Sequence, residues 1–402
     1  MKLFYGWVIV AVGFVVTCIG LGTMMSLGVF LQPMSAAMGW SRAGISTAAL
    51  LSFLFMGAGS LLWGALSDRF GARAVVLCGG LLLGAGLVSA SQAATLLQFQ
   101  LLFGVAVGLA AGSFFAPLTA TTTRWFTEHR SLAVALVSAG TGIGSLTVAP
   151  LAQWMIDLHG WRIAMAVLGG IAWLVVMSAA LLLRKPPATR EAAATAAGEG
   201  GALTVAGALR TPQFAAIALT FFACCAAHSG PIFHMVSYAA DCGVPAMAAA
   251  TVFGAAGLGA LAGRIICGLI ADRVGAKETL VAGLLLQAVA ISLYLVITDL
   301  AGFYGVALLF GFAYGGVMPL YAILVREYFG AEIMGTIFGA VAMVSTLGMA
   351  LGPWAGGWLY DSYASYFWLY VSSGGIGLGA AAIAFAFRPP RAAEGAMRPA
   401  LA

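Results

Sequence analysis

The chain has 402 residues, 62% of them hydrophobic and only 8% charged, with a mean hydropathy of +1.03. A water-soluble fold needs far more polar surface than this supplies, so the composition excludes one and points to an integral membrane protein. The formal charge of +5 invites a search for an anionic partner, but its distribution has a simpler origin.

Apolar runs of about 20 residues, the length that crosses a bilayer as a helix, recur from end to end, and the alternation of a closed β-barrel is absent. They predict an all-α membrane protein with twelve transmembrane helices, at about 5–31, 44–66, 73–91, 95–122, 131–156, 161–183, 212–239, 247–270, 275–297, 301–325, 331–358 and 364–387. The opening MKLFYGWVIV has one Lys and leads straight into an apolar run with no small-residue cleavage site, so it reads as the first helix. Of the 18 Lys and Arg, Arg42 and Arg162 fall on one side, Arg264 lies inside the eighth run, and the others share the side of both termini. Cationic loops mark the cytoplasmic face, so both termini are expected there, in a bacterial cytoplasmic membrane. The same rule accounts for the basic balance without nucleic acid.

The two halves repeat each other. Gly64-Ala-Leu-Ser-Asp68-Arg69-Phe-Gly71-Ala-Arg73 matches Gly268-Leu-Ile-Ala-Asp272-Arg273-Val-Gly275-Ala-Lys277, 204 residues on. Pro117 pairs with Pro319, the Arg124-Trp-Phe loop with Arg326-Glu-Tyr-Phe, and the Gly-rich runs ending at Pro150 and Pro353 pair likewise, at offsets of 202, 202 and 203. Equal topology in both halves makes them parallel repeats of six helices. The expected division is residues 1–183 and 211–388 for the two helical domains, 184–210 for a linker rich in Ala, Pro and Gly, and 389–402 for a tail. The remaining loops leave no room for a soluble catalytic domain.

The Gly-x-x-x-Asp-Arg-x-Gly-x-Arg/Lys loop after the second helix, its copy after the eighth, and the Gly/Pro-rich fifth and eleventh helices resemble the major facilitator superfamily along essentially the whole chain. Within it, Phe4-Tyr5-Gly6-Trp7-Val8 with Arg264 in helix eight is similar to the monocarboxylate transporters and the bacterial oxalate/formate exchangers. The resemblance implies a secondary transporter with two six-helix domains rocking about a central site. It also implies that Asp68, Arg69 and Arg73, with Asp272, Arg273 and Lys277, act as a cytoplasmic gate rather than as plain topological charge.

Arg264 is the leading candidate. An arginine in a membrane helix costs about 2.5–3.5 kcal/mol on insertion scales, so it needs a partner, a wet cavity or a ligand. Gly254, Gly257, Gly259, Ala260 and Gly263 precede it and offer no side chain to satisfy it. A planar guanidinium grips a carboxylate with two parallel hydrogen bonds, which suits a small organic anion; a structural arginine bonded to backbone carbonyls is the bland alternative. Monocarboxylate transporters typically carry an Asp one turn earlier, where this chain has Ala260, and the exchangers carry a Lys in helix eleven, where this chain has none. One cation fits one carboxylate, so a monoanion such as lactate or pyruvate is expected, moved with a proton; exchange of oxalate-like or formate-like anions is the alternative. All 13 Asp and Glu fall in loops, helix ends or tails, so proton coupling falls to a histidine of helix seven, His234 ahead of His228, or to the acid itself.

For the rest of the pocket, Tyr314 and Tyr321 stand seven apart in helix ten, and Phe115 and Thr119 in helix four and Met24 and Gly28 in helix one stand four apart, each pair on one face. Tyr314 alone resembles an aromatic of the exchangers' binding site; such stripes are otherwise ordinary core. The glycines at 140, 142 and 144 and at 348, 352, 356 and 357 read as seams along which helices pack closely and slide. The six cysteines lack metal-ligand spacing and read as buried small hydrophobes. No cofactor or metal is expected, and a functional monomer is. A membrane sensor has no signalling domain to support it, and an enzyme has no Ser/His/Asp set.

Overall fold

The computed structural model describes residues 4–126, 130–184, 204–330 and 333–387, and every regular element among them is helical. Eleven segments are long and apolar enough to cross a bilayer. One of them, Ala133–Leu181, holds two of the twelve predicted spans, because Gly160, at φ 80 and ψ 166, turns the chain inside it. The helices are therefore α1 (Gly6–Met38), α2 (Arg42–Phe70), α3 (Ala72–Ser91), α4 (Leu96–Trp125), α5 (130–159), α6 (161–181), α7 (Pro212–Asp241), α8 (Ala246–Val274), α9 (Ala276–Leu293), α10 (Leu300–Phe329), α11 (Met334–Tyr363) and α12 (Phe367–Ala386). The predicted linker lies mostly outside the described residues, although Val205–Leu209 forms a short helix; the predicted tail lies outside them entirely.

Local chemistry sets the helix ends. Ser41 accepts from the Gly44 N–H to cap α2, Thr211 caps α7 ahead of Pro212, and Asp299 caps α10. The repeated loop motif explains its own glycine: Gly71 and Gly275 have φ of 87° and 113°, where any side chain is strained, and each joins one helix to the next in a single residue. Helix α1 runs past the expected end at 31, through Pro33, and stops at the left-handed Gly39. It bends at Ser26, whose Oγ donates to the Gly22 carbonyl at 2.7 Å.

The repeat is also visible in the packing. Within the repeats α1 lies along α5 and, equivalently, α7 along α11; between them α2 lies along α11 and α8 along α5. The glycine runs serve both seams. Gly140 and Gly144 press on α1 (Thr17, Cys18, Gly22), while Gly142, on another face, presses on α8 at Gly257. Correspondingly Gly348 and Gly352 press on α7, and Gly357 on α2 at Ala43. A Cβ on Gly257 would stand 2.6 Å from the Gly142 carbonyl oxygen. Gly257→Leu is therefore expected to wedge α8 from α5 and to destabilise the protein by about 1–3 kcal/mol, read as a fall in the melting temperature of the purified protein; an unchanged value would mean the seam yields freely.

The residues that carried the family resemblance at the N-terminus also pack together. Phe4 and Trp7 meet the Phe126 ring edge-on at 5.3 and 5.0 Å, and Tyr5 lies 5.6 Å from Trp125. The Tyr5 hydroxyl donates to the Leu182 carbonyl at 2.8 Å, and Arg184 lies over its ring. These contacts tie the start of α1 to the ends of α4 and α6.

Candidate functional site

Arg264 reaches the boundary between the repeats because α8 is stripped of bulk on two faces. Gly254 and Gly257 lie against α5, and Gly259 and Gly263 against the Leu308 and Phe312 carbonyls of α10. Its Nη1 donates to the Ser138 carbonyl of α5 at 3.2 Å, an oxygen that also accepts from the Thr141 hydroxyl at 2.8 Å. That is its one hydrogen bond among the described residues, whereas a guanidinium carries five N–H donors. Ala260, one turn back, packs on Gly315 of α10 and is 3% exposed, so an acid at that position would have no room.

Tyr314 of α10 is within electrostatic reach of Arg264, and its hydroxyl makes no hydrogen bond among the described residues. Its ring stacks on His228 of α7, with centroids 5.2 Å apart and planes at 17°, and tilts against Phe310 at 5.3 Å. His228 is 2% exposed, and its Nδ1 lies 2.7 Å from the Cys224 carbonyl. A carbonyl only accepts, so Nδ1 carries the hydrogen and Nε2 of the neutral ring is an acceptor, with no partner among the described residues.

Helix ten does not keep one face along its length. It breaks between Val317 and Leu320 at Pro319, as α4 breaks between Gly112 and Phe115 ahead of Pro117. Tyr321 accordingly turns away from Tyr314: it is fully buried and stacks on Phe221 at 3.9 Å and 10°. Phe115 is 42% exposed, and Thr119, on the same helix, has an Oγ1 that is sealed from solvent without a hydrogen-bond partner. Met24 is buried in the apolar core. Gly28 meets the Phe233 carbonyl of α7, so it is a backbone crossing between the repeats.

His234 belongs to a second assembly, at the end of the bundle where α1, α7 and α11 finish and α2 begins. Its Nε2 lies 2.8 Å from the Pro353 carbonyl and its Nδ1 3.1 Å from the Tyr366 hydroxyl. Nε2 is therefore the protonated nitrogen and Tyr366 donates to Nδ1. Burial pushes the Tyr366 phenol upward, against the pull of Arg42, so it stays protonated and able to donate. The Tyr366 oxygen accepts from Arg42 Nη1 at 2.8 Å. Arg42 of the first repeat also pairs with Asp241 of the second, at 2.9 Å through Nη1 and 3.3 Å through Nη2, and lies 3.6 Å over the Tyr360 ring. Asp361 of α11 accepts from the Arg42 and Ala43 backbone N–H groups at 3.1 and 2.8 Å, a carboxylate held at the N-terminus of α2. Gln32 of α1 donates to Asp241 at 2.7 Å and to the Ser237 carbonyl.

Every hydrogen bond that joins the two repeats, between described residues, lies at this end, apart from that of Arg264. At the opposite end, where a gate was expected, Arg69, Arg73, Asp272 and Arg273 are exposed. Lys277 donates to the Phe385 carbonyl of its own repeat. The side chain of Asp68 lies outside the described ones. Between described side chains the one ion pair is Arg42 with Asp241. The molecule is thus latched at the Arg42 end. Sequence reasoning missed this latch: its members come from α1, α2, α7, α11 and the loop before α12, and the one available signal was Arg42 itself, a rare cation on its side. A surface cleft of about 310 Å³ beside Pro212, Gln213 and Phe387 is lined by no titratable side chain and is remote from both assemblies.

The sequence model of the Major Facilitator Superfamily matches residues 12–353 and, overlapping them, 266–399. Monocarboxylate transporter 13 of Bos taurus is 28% identical over 372 residues, which cover 92% of this chain and 86% of that protein. Monocarboxylate transporter 11 of Mus musculus is 31% identical over 377 residues, 90% of this chain and 83% of that one. Among solved structures, a bacterial homologue of the human lysosomal transporter Spinster, inward-facing and unoccupied, superposes with a TM-score of 0.73 at 17% identity, over 96% of this chain and 97% of that one.

Proposed function

This chain belongs to the major facilitator superfamily and resembles its monocarboxylate transporters, and we propose that it moves a short monocarboxylate of the lactate or pyruvate type, together with a proton, by alternating access about Arg264. The observation that carries this reading is the state of Arg264: a cation between the repeats, on a membrane helix, with one hydrogen bond to a backbone carbonyl and its other donors unspent among the described residues. A carboxylate is the ligand whose two oxygens match two of those donors in one plane. Tyr314 supplies a hydroxyl beside it for a second polar group of the acid. The cationic loops put the Arg42 latch on the external face, so this state is closed to the outside and open to the cytoplasm. The gate read from Asp68, Arg69, Arg73, Asp272, Arg273 and Lys277 would close in the other state. Transport needs neither cofactor nor metal, and one chain holds the whole path, in keeping with a monomer in the cytoplasmic membrane.

The packing of Ala260 on Gly315 favours a second reading, since it leaves no acid beside Arg264 to carry a proton: exchange of oxalate-like or formate-like anions. Uptake of labelled L-lactate into proteoliposomes separates the two. Under symport an inward proton gradient drives accumulation and a protonophore abolishes it. Uptake that ignores the gradient but requires a preloaded carboxylate would replace symport with exchange.

A further inference from the structure

Resting on that reading of the site, we infer that His228, through its Nε2, is the group that takes up and releases the transported proton. His228 is 2% exposed, and among the described residues Nε2 is the one imidazole nitrogen of α7 without a hydrogen-bond partner, because both nitrogens of His234 are engaged by Pro353 and Tyr366. Its Nδ1–H is fixed to the Cys224 carbonyl, which itself accepts from Gln287 of α9 at 3.2 Å, so the ring cannot exchange its two nitrogens without breaking that bond. One face of the ring stacks on Tyr314, which is within electrostatic reach of Arg264. Among the described residues the titratable groups meeting the ring are Cys224 on its own helix and Tyr314 on α10; Gln287 of α9 bonds Cys224, Arg264 of α8 interacts with Tyr314, and no carboxylate contacts the ring.

That inventory makes uptake of proton and substrate interdependent. In the empty site a protonated imidazole would be a second cation against Tyr314, which already interacts with Arg264, with no carboxylate in contact to balance it, so His228 is neutral. A carboxylate docked on Arg264 and Tyr314 supplies the missing negative charge and makes the imidazolium tolerable. By linkage, the proton strengthens carboxylate binding by the same factor. The step is a proton transfer alone: hydronium on the open side gives up a proton and leaves as water, an N–H bond forms at Nε2, and that bond breaks to a water, re-forming hydronium, after the site opens on the other side. The site carries one net positive charge whether empty, with Arg264 alone, or loaded, with Arg264, imidazolium and carboxylate. Both states therefore cross between conformations with the same charge.

The test uses full-length protein in liposomes loaded with a pH-sensitive dye, comparing wild type, His228→Gln and His234→Gln. Glutamine keeps a polar, neutral side chain but cannot become a cation at these pH values. Wild type is expected to take in one proton per L-lactate. His228→Gln should lose at least tenfold in gradient-driven accumulation while still exchanging labelled for unlabelled lactate at equal concentrations, since exchange requires no net proton movement. His234→Gln should keep its proton stoichiometry. If His228→Gln does not yield monodisperse protein, His228→Asn serves in the same assay. A His228 variant that accumulates lactate with one proton, as wild type does, overturns the assignment. Wild type that takes up lactate with no proton overturns the symport reading as well, so the two failures are told apart by which protein shows them.

Discussion

Arg264→Ala abolishes saturable L-lactate uptake, leaving only the leak of protein-free liposomes, while the protein itself elutes as before and melts no lower. The second half of this expectation follows from the same geometry as the first. Arg264 makes one hydrogen bond, to the Ser138 carbonyl, and that oxygen keeps the Thr141 hydroxyl when the arginine is gone. Removing a poorly compensated cation relieves an insertion cost of about 2.5–3.5 kcal/mol, which offsets the lost packing. Arg264→Lys retains the charge but replaces a planar fork with a point charge. Losing one charge-assisted hydrogen bond, about 1.5–3 kcal/mol, raises the lactate Kd by about 10- to 150-fold. Lactate titration by calorimetry, with melting curves alongside, checks both variants. Full uptake by Arg264→Ala would remove the carboxylate anchor, and a large fall in its melting temperature would make Arg264 a structural residue.

Arg42→Ala opens the face that its latch closes. The Arg42 and Asp241 side chains are 12% and 30% exposed, so their pair is shielded more than a surface salt bridge, and Arg42 also holds Tyr366 and lies on Tyr360. Truncating one partner of such a hydrogen-bonded pair costs about 2–5 kcal/mol, enough to move an equilibrium that differs by a few kcal/mol between states. Spin labels at Ala37, on the end of α1, and at Cys242, just beyond α7, sit on opposite repeats at this face and are both exposed. In a background lacking the other cysteines, the distance between them is expected to shift to a longer population in Arg42→Ala and, by the same argument, in Asp241→Ala. An unchanged distribution in both would mean that the Gly28–Phe233 and Gly357–Ala43 crossings close this face unaided.

The bilayer explains why so much of the fold was legible. Every backbone group in lipid must be satisfied within its own helix, so apolar length alone marks the spans, and a duplicated Asp-Arg-x-Gly loop places their equivalence. The break at Gly160, the continuation of α1 through Pro33 and the interruptions at Pro117 and Pro319 are backbone events that hydropathy does not register. Because of the last of these, seven-residue spacing put Tyr314 and Tyr321 on one face when the helix between them is broken.

For the site, the sequence by itself determined the position of one costly charge. Arg264 stands out because every other charge lies at a span end or in a loop, and an unpaired cation in lipid is a signal that needs no neighbour to be read. Which groups surround it was decided only by tertiary structure. His228 and His234 are six residues apart on one helix and equal in composition, yet one stacks on Tyr314 with a nitrogen unused while the other is sealed between Pro353 and Tyr366. The latch of Arg42 with Asp241 and Asp361 joins residues 199 and 319 positions apart. Hydrogen bonds of a few ångströms between separate repeats leave no periodicity in the chain, so only the docking of one repeat on the other brings them into being.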